Sequence, residues 1–164
     1  MQAAAWFTRI ADTVQLTLST HLLVHGPMNA AALGAVRSSG YGTVEVWLAE
    51  PHVAWKEPGP CERFRARLAG EGLVAGSVHL PFYPSVPELR EEGRRWSLIH
   101  PDAAERRAAL AGAADGLRAA ALLGASVAVL HLGWQRDAWG VHEHGWAREA
   151  VAALLPVAES VGVR

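Results

Sequence analysis

Short apolar runs alternate along the chain with stretches in which apolar residues recur every three or four positions. This alternation predicts a parallel sheet whose strands are connected by covering helices. The four predicted strands are Val14 to His21, Thr43 to Leu48, Val74 to Leu80 and Ser126 to His131. The four predicted helices are approximately Asn29 to Ser39, Cys61 to Gly70, Pro101 to Gly124 and Trp146 to Ser160.

The third predicted helix has the clearest end signals. Asp102 is a good N-cap residue, and Glu105 three positions later completes a pattern like a capping box. Gly124 can adopt the left-handed conformation that commonly ends a helix. Loops that follow strands, such as Pro81 to Ile99, are long, whereas turns from a helix to the next strand are short. Long loops therefore gather at the carboxyl ends of the strands, where parallel α/β folds place their functional sites.

The two faces of each predicted strand differ in character, because successive side chains point to opposite sides of a sheet. One face is aliphatic and suits packing under helices. The other face carries small and polar residues, which suit a barrel interior that opens onto a site. The residues of this second face are Thr17, Ser19, His21, Thr43, Glu45, Trp47, Ala75, Ser77, His79, Val127, Val129 and His131.

Four of these residues, His21, Glu45, His79 and His131, are predicted to converge near the ends of adjacent strands. Imidazole nitrogen and carboxylate oxygen bind divalent ions such as zinc or manganese, and either group can act as a general base near neutral pH. The alternative is that each is a hydrogen-bonded polar residue in a partly wet interior. Matching positions on four strands favour the functional interpretation.

Aromatic residues are frequent in the segments that surround the same end of the sheet. Trp47 and Trp134 are, together with His21, the candidates for substrate binding, because such rings line small-molecule pockets and stack on sugar faces. For each ring taken singly, ordinary packing within a loop is the alternative. The other aromatic residues of these segments are Trp55, Phe82, Tyr83, Trp96, Trp139 and Trp146.

The composition narrows the range of partners. The 164 residues, 51% of them hydrophobic, are enough for one core, and we predict a single domain over residues 1–164. A formal net charge of −1 gives no general attraction to nucleic acid or anionic lipid. Cys61 is the only cysteine, and the sequence shows neither a signal-peptide pattern nor a membrane-spanning apolar run. We expect a soluble cytoplasmic protein, with nucleic acid an unlikely partner and no membrane partner.

Three segments resemble the sugar phosphate isomerase/epimerase-like superfamily, whose members are also described as xylose isomerase-like barrels and include the endonuclease IV type of apurinic-site nuclease. These segments are SVHLPFYP from Ser77 to Pro84, HPDAAERRAALAGAADGLRAAALLG from His100 to Gly124, and SVAVLHLGW from Ser126 to Trp134. Shorter matches are STHLLV from Ser19 to Val24 and VEVW from Val44 to Trp47. The resemblance covers nearly the whole chain after residue 14.

The resemblance implies an α/β fold, the parallel (β/α)4 half of a (β/α)8 TIM barrel that stops before strand five. It also implies a divalent metal, Zn, Mn or Mg, in the full-length protein, with most ligands of the isomerase type beyond residue 164. His79 and His131 match metal ligands of the nuclease type, whereas in the isomerase type they would touch substrate or support the site. Glu45 matches an acidic position at the end of strand two and is the candidate catalytic residue.

Three functions are consistent with the sequence. The leading hypothesis is the N-terminal half of a metal-dependent isomerase or epimerase of sugars, sugar phosphates or polyols, inactive by itself. The second is an endonuclease IV-like nuclease, although a near-neutral charge argues against a basic DNA groove. The third is a non-catalytic half-barrel that forms a homodimer through its two open sheet edges.

Overall fold

The computed structural model describes residues 16–164 of the chain. The strands are β1 (Leu18–Ser19), β2 (Thr43–Trp47), β3 (Val74–His79) and β4 (Ala128–Val129), and the helices are α1 (Ala30–Ser38), α2 (Pro58–Gly70), α3 (Ala103–Leu123) and α4 (Val141–Val161). The four strands are parallel and form one sheet in the order β1-β2-β3-β4. A 3-10 helix (Thr20–Leu23) follows β1, and a π-helical turn (Glu88–Glu92) lies between β3 and α3. The predicted alternation of parallel strands with helices is confirmed.

The two outer strands are shorter than the sequence predicts. Of the predicted first strand, only Leu18–Ser19 is a strand, and Val14 and Gln15 lie outside the described residues. The prediction that His21 ends a strand is wrong, because the chain turns at that point into the 3-10 helix. The predicted fourth strand is likewise reduced to Ala128–Val129, so that His131 follows the strand at a distance of two residues.

The third predicted helix has the expected limits, but the last one begins earlier than predicted. At the start of α3, Asp102 Oδ1 accepts a hydrogen bond from the backbone N of Ala104 at 2.6 Å, and Gly124 ends the helix with φ of 83°. Helix α4 begins at Val141 rather than at Trp146. Its first turn is stabilised because the carboxylate of Glu143 accepts a hydrogen bond from the backbone N of Gly140 at 2.9 Å.

The hydrophobic core lies between the helices and the aliphatic face of the sheet. Val44, Val46 and Val78 on that face are fully buried. Each such side chain stabilises the fold by about 1.5–3 kcal/mol relative to its exposed state. Their partners in the same cluster include Leu33 and Val36 of α1, Phe64 and Leu68 of α2, Leu117 and Ala120 of α3, and Leu154 of α4. The predicted difference between the two faces therefore holds for β2 and for the end of β3. It is wrong for the start of β3, where a register shift pairs Ala75 with Val44, so that Ala75 packs against the core and Val74 is exposed.

Helix α3 approaches the sheet closely where β3 ends. A Cβ atom at Gly116 would lie 2.7 Å from Pro81 Cδ and 2.9 Å from Leu80 Cδ2, which is closer than side chains can pack. Glycine at this position therefore lets the helix contact the segment that leads from β3 into the following loop. That loop carries Phe82 and Tyr83.

The free edge of β4 is partly paired with the last residue described. The backbone N of Arg164 donates to Ser126 O at 2.9 Å, and the backbone N of Ala128 donates to Arg164 O at 2.7 Å. This alternation is the pattern of a parallel ladder, so the edge of β4 accepts a parallel strand. Within residues 16–164, no helix has the length and apolar character required to cross a membrane.

Replacing Gly116 with Ala should lower the free energy of unfolding by about 1–3 kcal/mol, because the new methyl group would force α3 away from Pro81. Urea denaturation measures this change. Gly34→Ala in α1 is the matched control, since nothing lies within 4 Å of its Cβ position. That control should stabilise the protein by about 0.5–1 kcal/mol through helix propensity. Equal effects of the two substitutions would contradict the close approach.

Candidate active site at the carboxyl ends of the strands

The register of the sheet places the polar residues of neighbouring strands in two rows. Glu45 pairs with Ser19 of β1 on one side and with Ser77 of β3 on the other, and Trp47 pairs with His79. Ser19 Oγ donates a hydrogen bond to Glu45 Oε1 at 2.7 Å, which shows that both side chains lie on the same face. This is the face opposite the buried valines.

The second row is a stack of aromatic rings. The imidazole of His79 packs on the indole of Trp47 with ring centroids 3.6 Å apart and planes inclined by 19°. On its other side, Trp47 contacts His21 at a centroid distance of 4.0 Å. The rings of His79 and His131 lie 4.7 Å apart. Three of the four residues predicted to converge, His21, His79 and His131, therefore meet around Trp47 at the carboxyl ends of the strands, although His21 reaches the stack from the 3-10 helix. Glu45 lies in the preceding row, beside Ser19.

Phe82 connects this stack to the loop after β4. Its ring is stacked on His131 with a centroid distance of 4.8 Å and an angle of 16°, and it contacts Trp134 at 4.7 Å. Tyr83 fixes the other end of the group, since Trp47 Nε1 donates a hydrogen bond to its hydroxyl oxygen at 2.9 Å. The sequence indicated Phe82 and Tyr83 only as loop aromatics, whereas the structure places both within the site.

Trp134 is held from three directions. Its indole Nε1 donates to Trp96 O at 2.9 Å, and its backbone N donates to Asp137 Oδ2 at 2.8 Å. The same carboxylate oxygen of Asp137 accepts a hydrogen bond from Ser97 Oγ at 2.7 Å. The guanidinium of Arg95 lies over the indole at 5.1 Å. Asp137 thus joins the loops after β3 and β4, a role that the sequence pattern did not indicate.

His79 is buried, with 4% of its surface exposed, and its ring has a defined tautomer. Its Nδ1 lies 3.0 Å from Leu80 O, and because a carbonyl only accepts, Nδ1 carries the proton. Burial lowers the pKa of His79 to about 4, and the nearby His131 adds to this effect, while the hydrogen bond to Leu80 O opposes it. His79 is therefore neutral at physiological pH, with an unprotonated Nε2.

His52 and Thr20 also belong to the surroundings of the site, and sequence reasoning missed both. Thr20 Oγ1 accepts a hydrogen bond from the backbone N of Trp47 at 2.9 Å and lies 3.0 Å from His52 Nε2. His52 Nδ1 lies 2.9 Å from Gly26 O. Burial lowers the pKa of His52. No periodic pattern marks His52, because it lies in the loop after β2 rather than on a strand.

The donor atoms fit part of a divalent metal site. An imidazole that donates through Nδ1 to a backbone carbonyl and offers Nε2 is the form in which histidine binds zinc and related ions. His79 has this form, and His131 lies beside it. However, nowhere in residues 16–164 do three His, Cys, Asp or Glu side chains gather closely enough to hold an ion. The residues described can therefore supply two ligands, and a complete set requires others.

The stability of the protein should decrease as the pH falls from about 6.5 toward 4. The pKa of His79 is lower in the folded chain than its ordinary value, so in this window the unfolded chain binds a proton that the folded chain does not. The loss amounts to at most about 3 kcal/mol. Urea denaturation across this pH range should show a smaller loss in His79→Asn, which cannot titrate. His142 is exposed, so the control His142→Asn should keep the pH dependence of the wild type. The prediction would be contradicted if stability depended on pH as steeply in His79→Asn as in the wild type.

Comparison with known proteins shows where this architecture occurs. Residues 33–164 match the family model for xylose isomerase-like TIM barrels. The chain resembles a D-tagatose 3-epimerase-like protein with a TM-score of 0.70 and 14% identity, over 92% of this chain and 51% of that one. It resembles L-ribulose 3-epimerase with a TM-score of 0.62 and 18% identity, over 90% and 47%. At such identities the likeness shows the fold alone.

A Thermus thermophilus protein from a ZnCl2 soak matches with 26% identity and a TM-score of 0.65, over 92% of this chain and 54% of that one. No curated protein matches the chain. The chain spans about half the length of the structures that it resembles. Because the family model covers most of its residues, the chain belongs to the family of xylose isomerase-like TIM barrels and forms a four-stranded part of such a barrel.

Proposed function

We propose that this chain supplies the first half of the barrel in a metal-dependent isomerase or epimerase of sugars or related polyols. The observation that carries the proposal is the meeting of His79 and His131, 4.7 Å apart, with a set of aromatic rings at the carboxyl ends of the strands. The family and the sugar epimerase structures that the chain resembles support a small-molecule sugar substrate. We also propose a cytoplasmic location, with which the single buried thiol of Cys61 is compatible.

The rings are suited to bind the substrate. The indole of Trp134, which contacts Phe82 at 4.7 Å, can pack against the apolar C–H face of a sugar. Trp47 has His79 and His21 on its two faces, so it would meet the substrate through its ring edge. His21 lies at the open end of the stack, where it is exposed and can donate or accept a hydrogen bond. We assign substrate binding to these three residues.

Glu45 and the two histidines are suited to the chemistry. Epimerisation removes a proton from the carbon next to a carbonyl and returns one to the other face of that carbon, whereas isomerisation returns it to the neighbouring carbon. A bound Zn, Mn or Mg ion would polarise that carbonyl and make the adjacent C–H more acidic. His79 and His131 would hold the ion through ring nitrogens, and the carboxylate of Glu45 would accept the proton. The described residues supply two metal ligands and one carboxylate base, which is less than a complete site. The chain by itself should therefore be inactive.

The test requires a protein extended by four further βα units that complete the barrel. In this protein, His79→Ala and His131→Ala should weaken Zn or Mn binding at least about tenfold, as measured by isothermal titration calorimetry. Replacing a residue that only hydrogen-bonds to a metal ligand already weakens metal binding by this much. His142→Ala, in the first turn of α4, is the control and should bind as the wild type does.

Absence of both metal binding and sugar isomerase or epimerase activity in the completed barrel would remove the proposal. An affinity for DNA containing apurinic sites that decreases steeply as the salt concentration rises would favour the nuclease instead.

A second candidate is a non-catalytic half-barrel that closes by forming a homodimer. Most of the exposed large apolar residues lie beside the two outer strands of the sheet. A second copy could bury them if its β1 took the place of Arg164 at the edge of β4, paired there in parallel and closed the barrel. These residues are Leu16, Leu22 and Leu23 beside β1, and Val127, Val129, Trp139, Val141, Val151 and Leu155 beside β4 and on α4.

Analytical ultracentrifugation of the 164-residue chain tests this second candidate. If the edges close in a dimer, the wild type should sediment as a compact dimer, and Leu155→Lys should shift it to monomer by burying an unpaired charge. Ala66→Lys, at an exposed position in the middle of α2, is the control and should leave the dimer intact. A monomeric wild type, or one that forms aggregates of indefinite size, would exclude the closed dimer.

A further inference from the structure

His52 is buried beside the candidate site, with 2% of its surface exposed, and the proposed function assigns no role to it. Both nitrogens of its ring have partners, Gly26 O at 2.9 Å from Nδ1 and Thr20 Oγ1 at 3.0 Å from Nε2. Its backbone O accepts a hydrogen bond from Met28 N at 2.9 Å. His52 therefore connects the loop after β2 to the segment that follows β1.

The hydrogen bonds of this group have one consistent direction. A backbone carbonyl can only accept, so His52 donates to Gly26 O through Nδ1, and its Nε2 is an acceptor. Nε2 then accepts the hydroxyl proton of Thr20, which leaves the oxygen of Thr20 free to accept from the backbone N of Trp47 at 2.9 Å. Every donor in the series has an acceptor, although Thr20 and His52 are almost completely buried.

The side chain of Thr20 takes the place of a backbone acceptor where the pairing of β1 with β2 ends. The paired residues of β1 and β2 end at Ser19 and Glu45, and Trp47 lies two residues further along β2. Its N–H therefore meets no carbonyl of β1 and bonds to the hydroxyl of Thr20 instead. This side-chain bond extends the connection between the two segments beyond the end of the ladder.

The same bond ties together the two segments that carry the stacked rings. Thr20 is the first residue of the 3-10 helix that carries His21, and Trp47 is the last residue of β2. The rings of His21 and Trp47 lie 4.0 Å apart, and His79 stacks on the other side of Trp47 at 3.6 Å. A displacement of Trp47 would therefore change the surroundings of both histidines.

We propose that His52 and Thr20 are positioning residues of the candidate site, which hold the backbone of Trp47 and the 3-10 helix so that the rings of His21, Trp47 and His79 stay stacked. The relevance of this positioning to catalysis rests on the proposed function. Neither residue contacts a substrate or a metal in this assignment. Both act through Trp47.

Nuclear magnetic resonance of the 164-residue chain tests the positioning directly. Two sets of signals report on it: the indole N–H of Trp47, which is bonded to Tyr83, and the ring protons of His79, which lie over the indole. Thr20→Val keeps the shape of the side chain and removes the hydroxyl. In this variant both sets should move toward the values of unstructured residues. Thr20→Ser keeps the hydroxyl and should restore the wild-type positions.

Two further variants separate positioning from general stability. Val36→Ala leaves a cavity in the core under α1, so it should lower the unfolding midpoint while the signals of Trp47 and His79 keep their positions. If Thr20→Val does not fold, His52→Asn takes its place, because its amide can donate to Gly26 O but cannot reach Thr20. Wild-type signal positions in a folded Thr20→Val or His52→Asn would overturn the proposal.

A metal titration of the completed barrel links positioning to function. Thr20→Val should bind Zn about tenfold more weakly than the wild type, with Thr20→Ser close to the wild type. A wild type that binds no metal would defeat the proposed function and leave the resonance result valid. Displaced signals with unchanged metal affinity would show that the positioning of Trp47 does not extend to the ligand atoms of His79, and would overturn that part of the inference.

Discussion

The parallel pairing of β2 with β3 is the constraint on which the site depends. With Trp47 opposite His79 and Val46 opposite Val78, one face of the two strands is aliphatic and buried under helices. A slip of β2 by one residue would turn its side chains to the other face and bury Glu45 under the helices. The burial of the valines therefore also determines that Glu45, Trp47 and His79 face the opposite side.

Pairing by itself does not bring the functional rings together, because the two outer strands end early. On one side, the hydroxyl of Thr20 continues the contact between the segment after β1 and Trp47. On the other side, Phe82 fills the space between His131 and Trp134. Loop and side-chain contacts thus perform the role that longer strands would have in an ideal barrel.

Burial has an electrostatic consequence at the centre of this group. His79 lies between the indole of Trp47 and the ring of His131, away from water, and this lowers its pKa to about 4. The hydrogen bond to Leu80 O selects the tautomer in which Nε2 has a free lone pair. The same packing that stabilises the group thus keeps the imidazole of His79 neutral.

The amino-acid sequence by itself determined the alternation of strands and helices, the two faces of β2 and of the end of β3, and both ends of α3, because these depend on local periodicity and on capping residues such as Asp102. It also placed His79 and Trp47 on one face. Only the tertiary structure decided that β1 and β4 are short, that His21 reaches the stack from a 3-10 helix, and that His52 supports Trp47. These features depend on hydrogen bonds between residues such as Thr20 and His52, 32 positions apart in the sequence. No local pattern reports such contacts, since they form only when the loops pack against one another.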